Sequence, residues 1–205
     1  MPEWFRNATW NAAVAQVFEE KLRCARRKEQ YLRIQASMLA ASHPEVALDL
    51  LERYFTLPDQ FDQAQAHVDR AQALLALDRT DDAIESYEAA LSREAAFPNL
   101  QTQACLDLPF LIATRGIKSR YEQAVQLLGL YENRLMFPVD HFRWHTARCL
   151  IAADTGGIGV AKSHATQALR AAYAEHPGFR YHPAVGLVTE RYEEVVQRLK
   201  ACLAA

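Results

Sequence analysis

Cysteine is scarce and scattered: the four thiols of this 205-residue chain, Cys24, Cys105, Cys149 and Cys202, stand dozens of residues apart. No close pair with redox or metal-site spacing exists, and the pattern suits buried thiols in a reducing compartment. Long apolar runs are missing too; none approaches the roughly 18 residues needed to cross a bilayer. The opening MPEWFRNATW has an acid at its third position and no apolar core, so a secretory leader is not expected. Together these absences lead to the expectation of a cytoplasmic chain without a membrane partner, in which the Asn7-Ala8-Thr9 triplet goes unglycosylated. Neither sign of charge is in large excess. The 23 Lys and Arg against 25 Asp and Glu leave a net charge of −2, which gives no reason to expect a polyanionic partner. Finally, runs alternating Val, Ile, Thr and aromatics with polar residues do not occur, which removes the usual signature of strands.

What is present is apolar spacing of three and four residues along nearly the whole chain, on a composition that is 50% hydrophobic. Such spacing marks helices with one buried stripe, and an all-α fold in a single domain of residues 1–205 is expected. The first helix carries Trp10, Val14, Val17, Phe18 and Leu22 on one face, with Asn7 placed to accept from its free N–H groups. His43-Pro44 announces another helix with proline in its first turn. Thr80-Asp81-Asp82 puts two carboxylates near the positive end of a helix dipole, and Ser119 with Glu122 forms a capping-box pair. Pro58, Pro98 and Pro138 act as breakers between successive pairs of helices.

This punctuation is periodic. In RAQALLALDRTDDAIESYEAAL, residues 70–91, Ala71 stands twelve residues before Ala83, and Tyr87, Ala90 and Leu91 follow. Small residues at these points let two helices approach closely while an aromatic fills the space between them. The same frame recurs with Cys149, Ala161, Ala165, Ala168 and Leu169. Two looser copies centre on Ala47, with Gln35 at the twelve-before position and Tyr54-Phe55 after, and on Ala124, with Leu108, Leu111 and Ile112 before and Leu128 and Tyr131 after. The four central alanines are 36, 41 and 37 residues apart. This pattern resembles the tetratricopeptide repeat, whose period is about 34 residues. The resemblance implies a right-handed superhelical array of antiparallel helix pairs. Residues 1–27 would supply an N-terminal helix, 28–172 about four repeats, and 173–205 a loop and a capping helix with Tyr192, Val195, Val196 and Leu199 on one face.

Several stretches invite a chemical reading. DTGGIGVAKSHATQAL, residues 154–169, places Lys162 and Ser163 after Gly156 in the register of a phosphate-binding loop. Ala161 stands where the second glycine belongs, and no strand precedes it, so a turn between helices with Gly156 in the left-handed conformation is expected. HFRWHTARC puts His141, His145 and Cys149 at four-residue steps along one helical face, donors suited to zinc. Packing accounts for Cys149, and His145 occupies the slot of His67 and Tyr31, so no metal is expected. Lys21, Arg23, Arg26, Arg27, Lys28 and Arg33 could grip phosphates or an acidic peptide. As the one basic cluster of a slightly acidic chain it reads as a solvated helix junction, and nucleic acid is not expected as a partner. HPGFRYHPAVGLV, residues 176–188, interrupts the helical spacing and leaves Arg180, Tyr181 and His182 as loop candidates for ligand contact. Paired carboxylates such as Asp81-Asp82 and Glu193-Glu194 suit helix starts and solvent faces, and no nucleophile turn occurs. No catalytic residue, no cofactor and no enzymatic activity are therefore expected.

The resemblance implies a concave surface lined by the first helix of each pair, holding a peptide segment or helix of another protein. Its lining candidates are Glu29, Arg33, Gln65, Asp69, Gln72, Phe110, Arg143 and Leu150. Co-chaperones of this family clamp a C-terminal carboxylate with lysines, asparagines and an arginine. Here Leu32, Ala36, Asp69, Leu106 and Phe110 fill the matching places, so that clamp is missing. The expected function is a non-catalytic adaptor or regulatory module. The alternative is a protein responding to a small ligand or nucleotide through the glycine-rich turn with Lys162, or through Arg180, Tyr181 and His182. Nothing in the sequence singles out the partner or an oligomeric state.

Overall fold

A computed structural model describes residues 3–58, 61–178, 182 and 184–204. Among these, all regular structure is helical. In chain order the helices are α1 (Ala12–Cys24), α2 (Lys28–Leu39), α3 (Pro44–Phe55), α4 (Gln63–Ala76), α5 (Thr80–Ala96), α6 (Ala104–Arg115), α7 (Tyr121–Leu130), α8 (Pro138–Asp154), α9 (Ile158–Ala172) and α10 (Glu193–Ala204). The chain divides into two compact units, Met1–Ala104 and Cys105–Ala205.

In the first unit α2 packs with α3 and α4 with α5, and α4 also touches both α3 and α2. The residue types dictate this. α3 buries Ala47, Leu50, Leu51 and Tyr54, the i, i+3, i+4, i+7 stripe of a helix with one inward face. α4 instead buries Ala64, Ala66, Val68, Ala71, Ala73 and Leu74, apolar on several sides because it meets three neighbours. α1 lies on α2, with Phe18 and Leu22 joining Leu32, Ala36 and Leu39 in one core.

The second unit repeats this relation. α8 packs with α9, and α10 packs on both α9 and α8, as α4 does on α3 and α2. Tyr192, Val196 and Leu199 enter the core formed by Phe142, Cys149, Ala161, Ala165 and Ala168, so the last helix covers the end of this pair. Trp144 Nε1 donates to the Leu128 carbonyl at 2.8 Å and ties α8 to α7. The Tyr121 hydroxyl, opening α7, donates to Asp154 at the end of α8.

All eight positions of the twelve-residue frame are buried. Gln35, Ala47, Ala71, Ala83, Ile112, Ala124, Cys149 and Ala161 are each at most 3% exposed, so the frame marks the seams of the fold. The turns inside the pairs recur as well. Arg79 N–H donates to Leu74 O at 2.9 Å, Ile117 to Ile112 O at 3.0 Å and Gly157 to Ala152 O at 2.8 Å. Each is the six-to-one bond of a Schellman helix end, with Asp78, Gly116 and Gly156 in the left-handed region at φ 56°, 67° and 82°. The expected left-handed Gly156 is thus present, and α8 and α9 flank it where a phosphate loop would need a preceding strand.

Four local expectations need correction. Asn11, not Asn7, caps α1, its side chain accepting from Val14 N–H at 3.0 Å. Asn7 is used elsewhere, against Gln35. Ser119 and Glu122 form no capping box, because a single 3-10 turn, Lys118–Arg120, leads into α7 and the helix start has no side-chain cap. Val17, assigned to the buried stripe of the first helix, is 47% exposed. Of the cysteines, Cys105 and Cys149 are buried but Cys24 is exposed and Cys202 half-buried.

Candidate protein-binding face

The polar candidates of the first unit come together. Arg33 lies on α2 beside the buried stripe of Leu32, Gln35, Ala36 and Leu39, so its half-buried guanidinium faces α4. Its Nε donates to Asp62 at 3.3 Å and its Nη1 to Asp69 at 3.2 Å. Asp62 stands at the N-cap position of α4 but makes no cap bond. The Asp69 side chain is 2% exposed, and its second oxygen accepts from Gln65 Nε2 at 3.0 Å. Burial raises the Asp69 carboxyl above its ordinary value, outweighing the opposing effects of Gln65, Arg33 and Ser37. Gln72 is exposed one turn further along α4, and Glu29 is half-buried in the first turn of α2.

This cluster opens onto a cleft of about 270 Å³ lined by Phe61, Asp62, Gln65, Leu100 and Thr102 among others. Phe61 is 70% exposed there. The opposite wall is held by Glu94, which is 5% exposed and accepts from Thr102 N–H at 2.9 Å and from its hydroxyl. Thr102 in turn accepts from Ala104 N–H at 3.2 Å. The cleft therefore combines a fixed polar wall, an apolar side chain in the open and residues of the α5–α6 link.

In the second unit Arg143 donates to Asp107 and lies 5.0 Å from the Phe110 ring centroid. Phe110 meets Tyr192 edge-on at 5.9 Å. Leu150 is 6% exposed and belongs to the packing. Arg143 and Asp107 are 36 residues apart, as are Arg33 and Asp69, with the order of the two charges reversed.

His145 turns to a partner that sequence spacing does not indicate, with its Nδ1 3.0 Å from His164 Nδ1 and both rings in T-shaped contact with Trp144. Burial, then His164 and His141, lower His145 to about 4; burial, then Arg148, lower His164. Cys149 neighbours Cys202, and burial followed by that thiol pushes it up to about 12, which makes it inert. Among the described residues no group of three or more His, Cys, Asp or Glu is placed to hold a metal ion. The slot shared by Tyr31, His67 and His145 is aromatic packing in each case, Tyr31 meeting Trp4 at 4.9 Å and His67 meeting Phe55 at 4.7 Å. Lys162 is half-buried in α9, and Ala161 before it is 3% exposed within the seam. Of the loop candidates, His182 is exposed, while Arg180 and Tyr181 lie outside the described residues.

Sequence spacing misses Asp62, Phe61 and Asp107, which complete these clusters. Asp62 and Phe61 sit in a link, where helical periodicity carries no information. Among the described residues no helix is long and apolar enough to cross a membrane. Comparison with protein-family models, curated proteins and solved structures returns no match.

Proposed function

We propose that this chain is a non-catalytic protein-binding module, an adaptor or regulatory protein of tetratricopeptide-like construction. Its antiparallel helix pairs would present α2 and α4 to a peptide segment or helix of another protein. The observation that carries this is the Arg33, Asp62, Asp69 and Gln65 cluster beside an open cleft with Phe61 exposed at its edge. Cross-linked polar side chains of this kind keep acceptors and donors oriented for a partner's backbone, and an adjacent apolar wall takes one side chain. The buried twelve-residue frame supports the repeat assignment, since each pair hides its seam and leaves the polar edge of its first helix available. Leu32, Ala36 and Leu106, which stand at carboxylate-clamp positions, are core residues at 3%, 0% and 4% exposure, so the partner is held by other means than that clamp.

A pull-down with the tagged chain tests the proposal. Proteins captured by the wild type should be lost with Arg33→Glu. Because Arg33 contacts a buried carboxylate, Gln72→Arg on the exposed face of α4 serves as a variant that keeps the fold, checked by circular dichroism. Unchanged capture by both variants contradicts the proposal.

A further inference from the structure

The start of the first unit carries a second surface whose residues are separate from the Arg33 cluster. Trp4 packs against Phe5 at 5.4 Å, Phe18 at 5.4 Å and Tyr31 at 4.9 Å. This aromatic knot walls a cleft of about 450 Å³ whose other side is α1, at Val17, Glu20, Lys21 and Cys24. A smaller hollow of about 260 Å³ shares Trp4 and Val17 and continues to Val14. Exposure of Val17 therefore has a local setting: it is the apolar floor shared by two adjoining hollows.

The rim of the larger hollow passes into the only dense run of cations in the chain, Lys21, Arg23, Arg26, Arg27 and Lys28. All five are exposed, and none makes an ion pair or side-chain hydrogen bond within the described residues. Lys21 and Arg23 suit the negative C-terminal end of α1. Arg26, Arg27 and Lys28 do not have that explanation. They stand at the start of α2, where the helix dipole is positive, where no side chain caps the free N–H groups and where Glu29 is the one acid of the first turn. Glu20 in the cleft lining and Glu29 offset part of this charge, and the five cations leave a net positive edge.

We propose that this cleft docks a short acidic segment of another protein, one in which an aliphatic or aromatic side chain stands among carboxylates. The apolar side chain enters between Trp4 and Val17, and the carboxylates meet the cations of residues 21–28. Charge complementarity selects this occupant over the same surface of a second copy of the chain, which is equally positive. Nucleic acid is disfavoured by the ring geometry. Trp4 and Tyr31 are tilted into one another at 52° and so form a wall, where base recognition needs open stacking faces.

The test is fluorescence anisotropy on the full chain with labelled synthetic peptides. One alternates Asp and Glu with Leu and Phe; a second replaces each Leu and Phe by Ser; a third probe is an oligo-dT strand of equal charge. Saturable binding of the first is expected, weakened roughly tenfold or more by Arg26→Glu/Arg27→Glu and by added salt, as for a charge-steered contact. Val17→Glu, on an exposed position, should weaken it comparably, and the serine peptide should bind more weakly than the first. Absence of saturation, equal affinity for the charge-reversed protein, equal affinity for the serine peptide or tighter binding of the oligo-dT strand would each overturn the proposal.

Discussion

The polar residues at the seams show how far single side chains depend on partners remote in sequence. Gln35, 0% exposed, is an exception to the small-residue rule until its partner is seen. Its Oε1 accepts from Asn7 N–H at 3.1 Å and Asn7 Nδ2 at 2.8 Å, and its Nε2 donates to Asn7 O at 2.8 Å. A fully paired amide can be buried at little net cost, whereas an unpaired one cannot. No periodicity announces such a pair, because Asn7 is 28 residues away and acts partly through its backbone. The histidines are similar: His145 is legible as a packed ring, His164 as its partner is not. Burial and the neighbouring imidazoles hold His145 below its ordinary 6.5, at about 4, so the unfolded chain takes up a proton that the folded chain resists. The stability involved is full above 6.5 and is lost as pH falls through about 4. With the shift discounted for the solvent screening of a half-exposed ring, urea unfolding of the wild type between these limits should lose on the order of 1–2 kcal/mol more than unfolding of His145→Phe, which keeps a ring in the slot. Parallel pH profiles for the two proteins would contradict this.

At the level of elements, most of the architecture was written in residue types. Starts at His43-Pro44 and at Thr80-Asp81-Asp82 are where α3 and α5 begin, because proline and carboxylates act on the first turn through local chemistry. The small residues of α9, Ala161, Ala165 and Ala168, are legible for the same reason: close approach to α8 requires them. Turn geometry was half legible. Gly156 declares itself, whereas Asp78 takes the same left-handed role without glycine, and its place emerges only from the shared six-to-one bond. These turns yield a paired prediction. Gly156→Ala should cost about 1 kcal/mol, since φ is 82° and no atom within 4 Å adds to the strain. Gly159→Ala, in the first turn of α9 with open space around it, should stabilise by about 0.5–1 kcal/mol. Thermal melts that shift in the same direction for both would refute the assignment of the turn.

For the whole molecule, the periodic frame foretold all-helical pairs, and burial of all eight frame positions accords with it. The division into two compact units leaves only a faint trace in the sequence, since its boundary at residues 104 and 105 falls in the longest interval between frames, the 41 residues from Ala83 to Ala124. The binding candidates were legible as residue types on the first helices of pairs, but their grouping was not: Arg33 and Gln65 are joined through Asp69, with Asp62 as a second partner of Arg33, and Leu150 belongs to the core. The proposed function therefore rests on the α2–α4 edge of the first unit. Its most direct test is nuclear magnetic resonance of the isotope-labelled chain, titrated with a peptide selected against it from a random display library. The account predicts enrichment of a sequence family whose binding shifts the amide signals of α2, α4 and the link before α6, around Arg33, Gln65, Gln72 and Thr102. Failure to enrich any peptide, or shifts confined to residues remote from these helices, would contradict it.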